Sequence, residues 1–415
     1  MGNMHEAKKI KNIDSSKDCR QVMTDHFREL GEASRTGSRK IAWCTSVGPA
    51  ELLRSLGFLV YFPENHAALL GATRMAVDLI PAANAIGYSP DICSYLTADI
   101  GSFLKKKTPL TSAFGLEGPP RPDVLVYNTN QCRDVQDWFG WYSRELKVPL
   151  VGVVTQRGVG PVMKNHVEDQ VAQMKAMIPL LEEVAGQAFD PDRLRETVAE
   201  SRQTSLLWRR VLETAAAKPS PLTFFDHTIL MGPAVVARGT KAANVYYEKL
   251  LAELEAKVAA GYGAVEGERF RLYWDGMPVW GKLRPLAELF LGLDACVVAS
   301  TYCNSWIFEA LDPDNPLEGM ARAYLELFIV RNDDYKEQYV RRMSELYDFD
   351  GIIFHDAKTC PNNTNSRYGM PQRLTRDLGL PGLTIHGDLN DLRCYSEEQA
   401  VTNIEAFIEQ LADQG

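Results

Sequence analysis

Short apolar runs alternate with amphipathic stretches in the first part of the chain. Residues 40–65 (KIAWCTSVGPAELLRSLGFLVYFPEN) begin with a short apolar strand and a turn at Gly48. A predicted helix then ends at Gly57, and a second apolar strand ends at Pro63. This strand–helix–strand order is typical of a parallel pair of strands.

A second unit of the same kind follows. Residues 123–128 (DVLVYN) predict a strand, and a loop through Cys132 leads into an amphipathic helix that ends at about Leu146. Residues 148–154 (VPLVGVV) predict the next strand. The two units together predict a parallel α/β sheet.

The rest of the chain is first helical and then again mixed. Residues 161–262 lack strand patterning and are rich in helix formers. From Phe270 the alternation resumes, and its predicted elements are a strand at 271–276, a helix at 284–292, a strand at 295–301, a long helical stretch from Leu317 to about Tyr347, a strand at 349–356, a helix at 371–379, a strand at 381–388 and a closing helix at 396–411.

This pattern predicts an α/β protein with two Rossmann-like parallel-sheet domains. We divide the chain into an N-terminal helical arm (1–38), a first α/β domain (39–160), a helical segment (161–265) and a second α/β domain (266–415). A chain of 415 residues is too long for one ordinary core, which agrees with more than one domain.

Composition and charge exclude several classes of function. The chain is 45% hydrophobic and 24% charged, with a formal net charge of −9, and no basic stripe is interleaved with aromatic residues, so we expect no nucleic-acid partner. The longest apolar runs, such as residues 293–300, are far too short to span a membrane. The N-terminus has no apolar core of a secretory signal, and we therefore expect a cytoplasmic protein.

The eight cysteines form no CxxC pair and, in a reducing compartment, no disulfide framework. Cys132 and Cys360 follow apolar strands, where ligands of parallel sheets collect, and Cys93 precedes a predicted helix, whose N-terminus favours a thiolate. Three such thiolates would suit an iron–sulfur cube with one iron open to substrate or water. From spacing alone, buried inert thiols are the simpler interpretation.

Five segments carry a resemblance to a known family. They occur in the order PENHAALLGA (63–72), GYSPDICSYLTADIG (87–101), NTNQCRDVQDWFGWY (128–142), HDAKTCPNNT (355–364) and GDLNDLRCYSEEQ (387–399). With them the chain resembles the ATP-dependent benzoyl-CoA reductases and 2-hydroxyacyl-CoA dehydratases over nearly its whole length. Each segment alone would be a weak match, whereas the joint match is specific.

The resemblance implies a catalytic subunit that binds an acyl-CoA substrate and a [4Fe–4S] cluster. Carried over by position, the cluster ligands would be Cys93, Cys132 and Cys360. It also implies two protein partners, a homologous second catalytic subunit and a separate ATP-hydrolysing iron–sulfur activator. The chain has no GxxxxGK[ST] loop, which agrees with ATP being bound by another protein.

The same resemblance, to the larger, substrate-binding subunit, would place Ser46, Glu64 and His66 near the thioester or the open iron. The alternatives are that Glu64 caps a helix and that His66 is a hydrogen-bonded core residue. Cys44 is interpreted as a small pocket residue. Cys303 would be a further ligand only in a double-cubane relative, and a single cube is favoured.

We favour a benzoyl-CoA reductase type of reaction, in which an aromatic acyl group takes up electrons one at a time. The alternative is a 2-hydroxyacyl-CoA dehydratase, in which one electron makes a ketyl radical that expels the hydroxyl group. The segment after Cys360, PNNTNSRYG, departs from both groups. A cluster-bearing scaffold or a binding subunit without its own chemistry is the third hypothesis.

Overall fold

Two parallel sheets form the framework of the protein. The computed structural model describes residues 10–414, and within that range each sheet has four strands. The strands of the first sheet are β1 Ile41–Cys44, β2 Leu59–Tyr61, β3 Val124–Asn128 and β4 Leu150–Val153. Those of the second sheet are β5 Phe270–Asp275, β6 Ala295–Ser300, β7 Gly351–Ala357 and β8 Gly382–Gly387.

The helices cover the sheets and fill the stretch between them. The helices up to the first sheet's last strand are α1 Ser16–Thr36, α2 Ala50–Ser55, α3 Pro63–Ala72, α4 Ala76–Ala85, α5 Ser94–Lys105, α6 Leu110–Phe114 and α7 Asp134–Leu146. Between the sheets lie α8 Lys164–Ala185, α9 Pro191–Glu213, α10 Phe224–Leu230, α11 Gly232–Val236 and α12 Lys241–Ala259. The remaining helices are α13 Leu283–Gly292, α14 Thr301–Asn304, α15 Pro316–Leu325, α16 Asp333–Tyr347, α17 Met370–Leu378 and α18 Glu397–Gln414.

Both sheets have the same kind of strand order, β2-β1-β3-β4 in the first and β6-β5-β7-β8 in the second. The registers place Ala42 of β1 beside Val60 on one side and Val124 on the other. The strand that follows β1 in the chain, β2, thus lies on one side of β1, and the next strand, β3, lies on the other side. This reversal makes a topological switch point between β1 and β3. The same order in the second sheet makes another between β5 and β7. Ligands of open α/β sheets bind outside the carboxyl ends of the strands at such points.

The α/β class and its two parallel sheets confirm the prediction from the sequence. The predicted strands all form, and the helical stretch between the sheets is present. The predicted boundaries after residues 38, 160 and 265 fall between elements, while the division into four domains stays a prediction. The first nine residues of the predicted arm lie outside the described residues.

The helical stretch predicted from Leu317 to Tyr347 is wrong in one respect, because it is two helices. Helix α15 ends at Leu325 and α16 begins at Asp333. Between them the chain is held across the molecule, since Arg331 forms a parallel bridge with Val159. The Asn332 side chain then accepts a hydrogen bond from the Tyr335 N–H at 3.1 Å and starts α16 as its N-cap.

Over the part of the chain that the structure describes, no helix combines the length and apolar character needed to cross a membrane.

Candidate functional site

The carboxyl ends of all eight described strands contribute to one region of the protein. The contributing residues, in strand order, are Ser46, Glu64, Cys132, Arg157, Met277, Tyr302, Cys360 and Asp388. They include residues beside both switch points, with Cys132 after β3 and Cys360 after β7. The region is therefore where this fold class places its ligands.

The three predicted cluster cysteines share one local geometry. Each lies just before a helix or a helical turn, and each thiol accepts a hydrogen bond from the backbone N–H three residues further along. The donor–acceptor pairs are Leu96 to Cys93, Val135 to Cys132 and Asn363 to Cys360. Backbone N–H groups at a helix start favour negative charge, so this geometry suits a thiolate.

The three thiols also face one another. Burial raises the pKa of Cys132 and of Cys360 to about 12, and it raises the pKa of Cys93 well above its ordinary value. Negative charge on Cys132 or Cys360 raises the pKa of Cys93 further, and Asp134 acts on all three thiols in the same direction. Burial and mutual repulsion thus disfavour three thiolates together, and a positively charged group bound between them would favour that state.

The arrangement does not resemble a single-ion site. Within residues 10–414 no three or more His, Cys, Asp or Glu side chains form a group that could hold one metal ion. A cluster of several irons is wider than one ion, and its thiolates come from residues that are farther apart. Three part-exposed thiols on separate loops, each with a backbone N–H donor, fit a [4Fe–4S] cluster with three protein ligands.

Hydrogen bonds join the loops of these cysteines in pairs. The Cys93 N–H donates to the Asp134 carboxylate at 3.2 Å, and Asp134 lies two residues after Cys132. This bond joins the start of α5 to the start of α7. Cys93 and Cys132 are thereby held at fixed helix ends.

Arg157, which follows β4, joins the Cys132 loop to the Cys360 loop. Its Nη1 donates to the carbonyl oxygens of Asn130, at 2.7 Å, and Gln131. Its Nη2 donates to the Asn362 side chain at 3.1 Å. Thiolates at Cys132 and Cys360 would in turn favour the charged guanidinium, although burial lowers the pKa of Arg157.

The third link joins the Cys93 loop to the Cys360 loop through Asp388, which follows β8. Thr359 donates its backbone N–H at 2.8 Å and its hydroxyl at 2.6 Å to Asp388 Oδ2. The Ser94 hydroxyl donates to Asp388 Oδ1, and the Ser94 N–H donates to the Thr359 hydroxyl at 3.0 Å. Every pair of cysteine loops is therefore connected by side chains that are not themselves cysteines.

A cavity of about 650 Å³ extends from α1 to the cysteine loops. Gln131, next to Cys132, and Asn363, three residues after Cys360, line its inner end. Much of the wall is apolar or aromatic, and its large members are Phe114, Tyr95, Trp280, Tyr302, Trp306, Leu327 and Ile329. The cavity can hold an apolar group beside the loops that carry the thiols.

Glu64 and Ser46 both line this cavity. The Ser46 N–H donates to Glu64 Oε2, and the Gln131 amide, oriented to suit its neighbours, donates to Oε1. Burial raises the pKa of Glu64 to about 7, while the bonds from Ser46 and the charge of Arg238 lower it in part. Glu64 is therefore a carboxyl group that can hold or release a proton near neutral pH.

His66 does not reach the cavity. Residues two apart on a helix point about 200° apart around its axis, so Glu64 and His66 on α3 face different sides. The His66 ring is fully buried, with Nδ1 bonded to the Asp99 carboxylate and Nε2 to the Thr108 hydroxyl at 2.8 Å. The structure thus places Ser46 and Glu64 together and His66 apart from them, in a hydrogen-bonded core position.

A buried ion pair holds the loop that carries Ser46. Arg238 Nε and Glu51 Oε1 are 3.0 Å apart, and neither side chain is more than 1% exposed. The guanidinium also donates to the carbonyl oxygens of Ser46, at 2.7 Å, and Gly48, at 3.0 Å. Arg238 therefore fixes the backbone whose N–H group bonds Glu64.

Of the remaining cysteines, Cys394 interacts electrostatically with Lys358 at the base of the Cys360 loop, and the other four are not brought to the three loops. Cys44 and Cys303 are fully buried in the main apolar core and do not line the cavity. Cys19 lines the outer part of the cavity, and its thiol is 3.7 Å from the Ile229 carbonyl oxygen. Cys296 is buried, and Cys394 lies in a turn after β8.

Sequence analysis missed the side chains that link the loops and the aromatic wall. Asp388 had one detectable signal, because it is the last residue of a predicted strand, in the segment GDLND. Arg157 had a similar signal, because it lies shortly after the strand predicted at 148–154, whereas Asp134 had none. Tyr95, Trp280 and Tyr302 come from three distant segments, and the Trp280 indole donates to the Tyr95 hydroxyl.

Comparison with known proteins places the chain in one family. A model of the family described as 2-hydroxyglutaryl-CoA dehydratase, D-component, matches residues 45–411. The (R)-2-hydroxyisocaproyl-CoA dehydratase alpha subunit of Clostridioides difficile is 30% identical over 412 residues, 96% of this chain and 97% of that protein. One subunit of the benzoyl-CoA reductase of Thauera aromatica is 28% identical (95% and 94% covered), and the lactoyl-CoA dehydratase alpha subunit of Anaerotignum propionicum is 27% identical (89% and 90%).

The buried ion pair gives a prediction about stability. In Glu51→Gln the buried charge of Arg238 loses its counter-charge, so the free energy of unfolding should fall by about 3–5 kcal/mol. Glu288→Gln, which removes one partner of an exposed helical pair with Arg284, should change it by less than about 0.5 kcal/mol. Anaerobic denaturant unfolding measures both, and a Glu51→Gln protein as stable as the Glu288→Gln control would contradict the assigned role.

The pKa of Glu64 predicts how stability depends on pH. The pKa of Glu64 is about 7 in the folded chain and 4.5 ordinarily. At pH values between these two, folding is therefore accompanied by the uptake of a proton. The stability due to Glu64 is complete below pH 4.5 and is lost as the pH rises through 7. Glu64→Gln cannot titrate, so its unfolding free energy relative to wild type should rise by on the order of 3 kcal/mol across this window and then level off. A difference that stays constant from pH 4.5 to 8 would show that Glu64 titrates normally.

Proposed function

This chain belongs to the family of the 2-hydroxyglutaryl-CoA dehydratase D-component, and from that premise we propose that it is the substrate-binding catalytic subunit of an enzyme that transfers single electrons to an acyl-CoA thioester. The observation that carries the proposal is the cavity. It runs from a carboxyl group with a pKa of about 7, Glu64, to loops that carry three mutually facing thiols. Protons and electrons would therefore be transferred to the same acyl group.

Cys93, Cys132 and Cys360 would hold the [4Fe–4S] cluster as thiolates. When bound, such a cluster supplies one electron at a time at low potential, and with three protein ligands it leaves one iron open. The links through Asp134, Arg157 and Asp388 hold the three loops in place before the cluster binds. Hydrogen bonds around the ligands of a metal site also tune its potential.

The chain's own residues would bind the acyl group and move its proton. Apolar and aromatic side chains such as Trp280 and Tyr302 exclude water from the inner cavity. Near pH 7, Glu64 holds a proton on one carboxyl oxygen and can pass it to the substrate. Ser46 and Gln131 donate to that carboxyl group, which fixes its orientation toward the cavity.

For the reaction itself we propose an aromatic acyl-CoA reductase of the benzoyl-CoA type. The aromatic wall formed by Tyr95, Trp280 and Tyr302 suits a flat ring, since aromatic rings pack favourably on one another. The ring of the acyl group would gain two electrons and two protons and become a cyclic diene. The electrons would come from an ATP-hydrolysing iron–sulfur activator, and Glu64 would supply a proton.

A 2-hydroxyacyl-CoA dehydratase is the second candidate. Two observations favour it, the names of the C. difficile and A. propionicum relatives and the position of Glu64, a carboxyl group with a pKa of about 7 that lines the cavity. In that reaction the proton of Glu64 would go to the departing hydroxyl group, which leaves as water. The β-carbon of the acyl group would then give up a proton, which restores Glu64, and the electron would be returned at the end of each turnover.

We also propose that the chain works with a homologous second catalytic subunit. Each of the three relatives is named as one subunit of its enzyme, which implies that those enzymes have further subunits. A cluster-bearing scaffold without its own chemistry would need neither Glu64 nor an apolar cavity. Turnover therefore separates the catalytic proposal from that third hypothesis.

Iron binding gives the first test. Cys93→Ala, Cys132→Ala and Cys360→Ala should each lose most of the bound iron after anaerobic purification, because a three-thiolate site loses one ligand. The matched control is Cys296→Ala, which removes a fully buried thiol from the core and should keep the iron. Full iron in Cys132→Ala would overturn the ligand assignment.

Substrate turnover gives the second test. With the second subunit and the activator present, benzoyl-CoA should be reduced faster than 2-hydroxyisocaproyl-CoA is dehydrated, and the reverse order would favour the second candidate. In either case Glu64→Gln should slow turnover by about 10²–10⁴-fold with unchanged iron content. His66→Gln should keep near-normal turnover per folded molecule but lower the melting temperature, since His66 lies in a buried hydrogen-bond network. Normal turnover in Glu64→Gln would remove Glu64 from the mechanism.

A further inference from the structure

Asp388 stands out among the residues around the cysteine loops because it is fully buried and bonded on both oxygens. Its Oδ1 accepts from the Ser94 hydroxyl and from the backbone N–H groups of Asn390 and Asp391, both at 3.0 Å. Its Oδ2 accepts from the Thr359 N–H at 2.8 Å and from the Thr359 hydroxyl at 2.6 Å. The carboxylate thus accepts five hydrogen bonds, all from neutral donors.

The positions of the donors connect this carboxylate to two of the cysteines. Ser94 follows Cys93 in the chain, and Thr359 precedes Cys360. One oxygen of Asp388 therefore holds the neighbour of one thiol, while the other oxygen holds the neighbour of the second thiol. The Thr359 hydroxyl closes the arrangement, because it donates to Asp388 and accepts from the Ser94 N–H at 3.0 Å.

We propose that Asp388, with Thr359 and Ser94, is a positioning clamp that sets the separation and orientation of the Cys93 and Cys360 thiols for the cluster. The proposal rests on the proposed function, since it concerns the same three-thiolate site. Ser94 comes from the first half of the chain, whereas Thr359 and Asp388 come from the second. The clamp therefore joins the two halves at the position where they share the cluster.

A carboxylate suits this role better than a neutral side chain. Five donors point at its two oxygens, and an amide would place an N–H₂ group against donors on one of the two sides. The buried carboxylate is also hydrogen-bonded to Ser94 and Thr359, each of which is next in the chain to a proposed thiolate ligand. Placed there, it favours the oxidised form of the cluster and lowers its reduction potential.

The clamp is connected to the substrate side as well. Asn390, whose N–H bonds Asp388, donates its side-chain amide to the Ala67 carbonyl oxygen at 2.8 Å. Ala67 lies on α3, the helix that carries Glu64. A single turn after β8 thus fixes both the cysteine loops and the helix of the proposed proton donor.

Thr359→Val and Thr359→Ser form the sharpest pair of variants. Valine keeps the shape of threonine but removes the hydroxyl group, whereas serine keeps the hydroxyl group and both of its bonds. In anaerobically reconstituted protein, Thr359→Val should retain iron about 10–100-fold less well against a chelator and should show a changed electron paramagnetic resonance spectrum of the reduced cluster. Thr359→Ser should restore the wild-type behaviour in both measurements.

Asp388→Asn tests the charge and has its own control. Its cluster should have a higher reduction potential than that of wild type, as well as the changed spectrum. Asp123→Asn removes a carboxylate that bonds the Ile41 N–H at 2.8 Å at the opposite end of the first sheet, and it should leave iron, spectrum and potential unchanged. Thermal unfolding of each iron-free variant shows whether a loss of iron results from a less stable fold.

The results separate the clamp from the proposed function. The clamp would be overturned if both Thr359→Val and Asp388→Asn had the iron retention, the spectrum and the reduction potential of the wild type. That result would leave the assignment of the three cysteine ligands in place. The clamp would also be overturned if Asp388→Asn lost iron only through unfolding and Thr359→Val behaved as wild type. A wild-type protein that binds no iron, or a Cys93→Ala protein with full iron, would instead overturn the proposed function itself.

Discussion

The site depends on holding three loops at fixed positions relative to one another, one between helices α4 and α5 and one after each of the strands β3 and β7. Each thiol would repel the others as a thiolate, and burial already raises the pKa of all three. The loops nevertheless stay together because hydrogen bonds accepted by Asp134 and Asp388 and donated by Arg157 connect them in pairs. Polar groups outside the thiols thus offset the cost of bringing three part-buried thiols together, and they shape the site before any cationic group binds.

The fold provides the positions for this arrangement. Two parallel sheets with equivalent strand orders each have a switch point, and the loops after β3 and β7 bring Cys132 and Cys360 to the carboxyl ends of the strands. The same ends supply Glu64 and the aromatic wall, so the cavity lies next to the thiols without a special connecting element. Strand ends place the proton donor, much of the acyl pocket and two of the cluster ligands, whereas Cys93 and Tyr95 are placed by the start of α5.

Much of this could be predicted from the sequence, and the failures have physical causes. Apolar runs bounded by turns located every strand, and the positions of Cys132 and Cys360 after strands indicated a shared site. Contacts such as Ser94 with Asp388 join residues almost 300 positions apart, and no local pattern reports them. The pairing of Glu64 with His66 could have been doubted from the sequence, because residues two apart on a helix do not share a face.

Locating the iron in the protein tests the three-cysteine site most directly. Anomalous X-ray diffraction at the iron absorption edge, from anaerobic crystals of the chain with its partner subunit, would show the position and number of the irons. We expect one compact group of four irons in contact with the thiols of Cys93, Cys132 and Cys360, one iron having no cysteine ligand from this chain. Iron bound at Cys44 or Cys303, or no iron between the three loops, would contradict it.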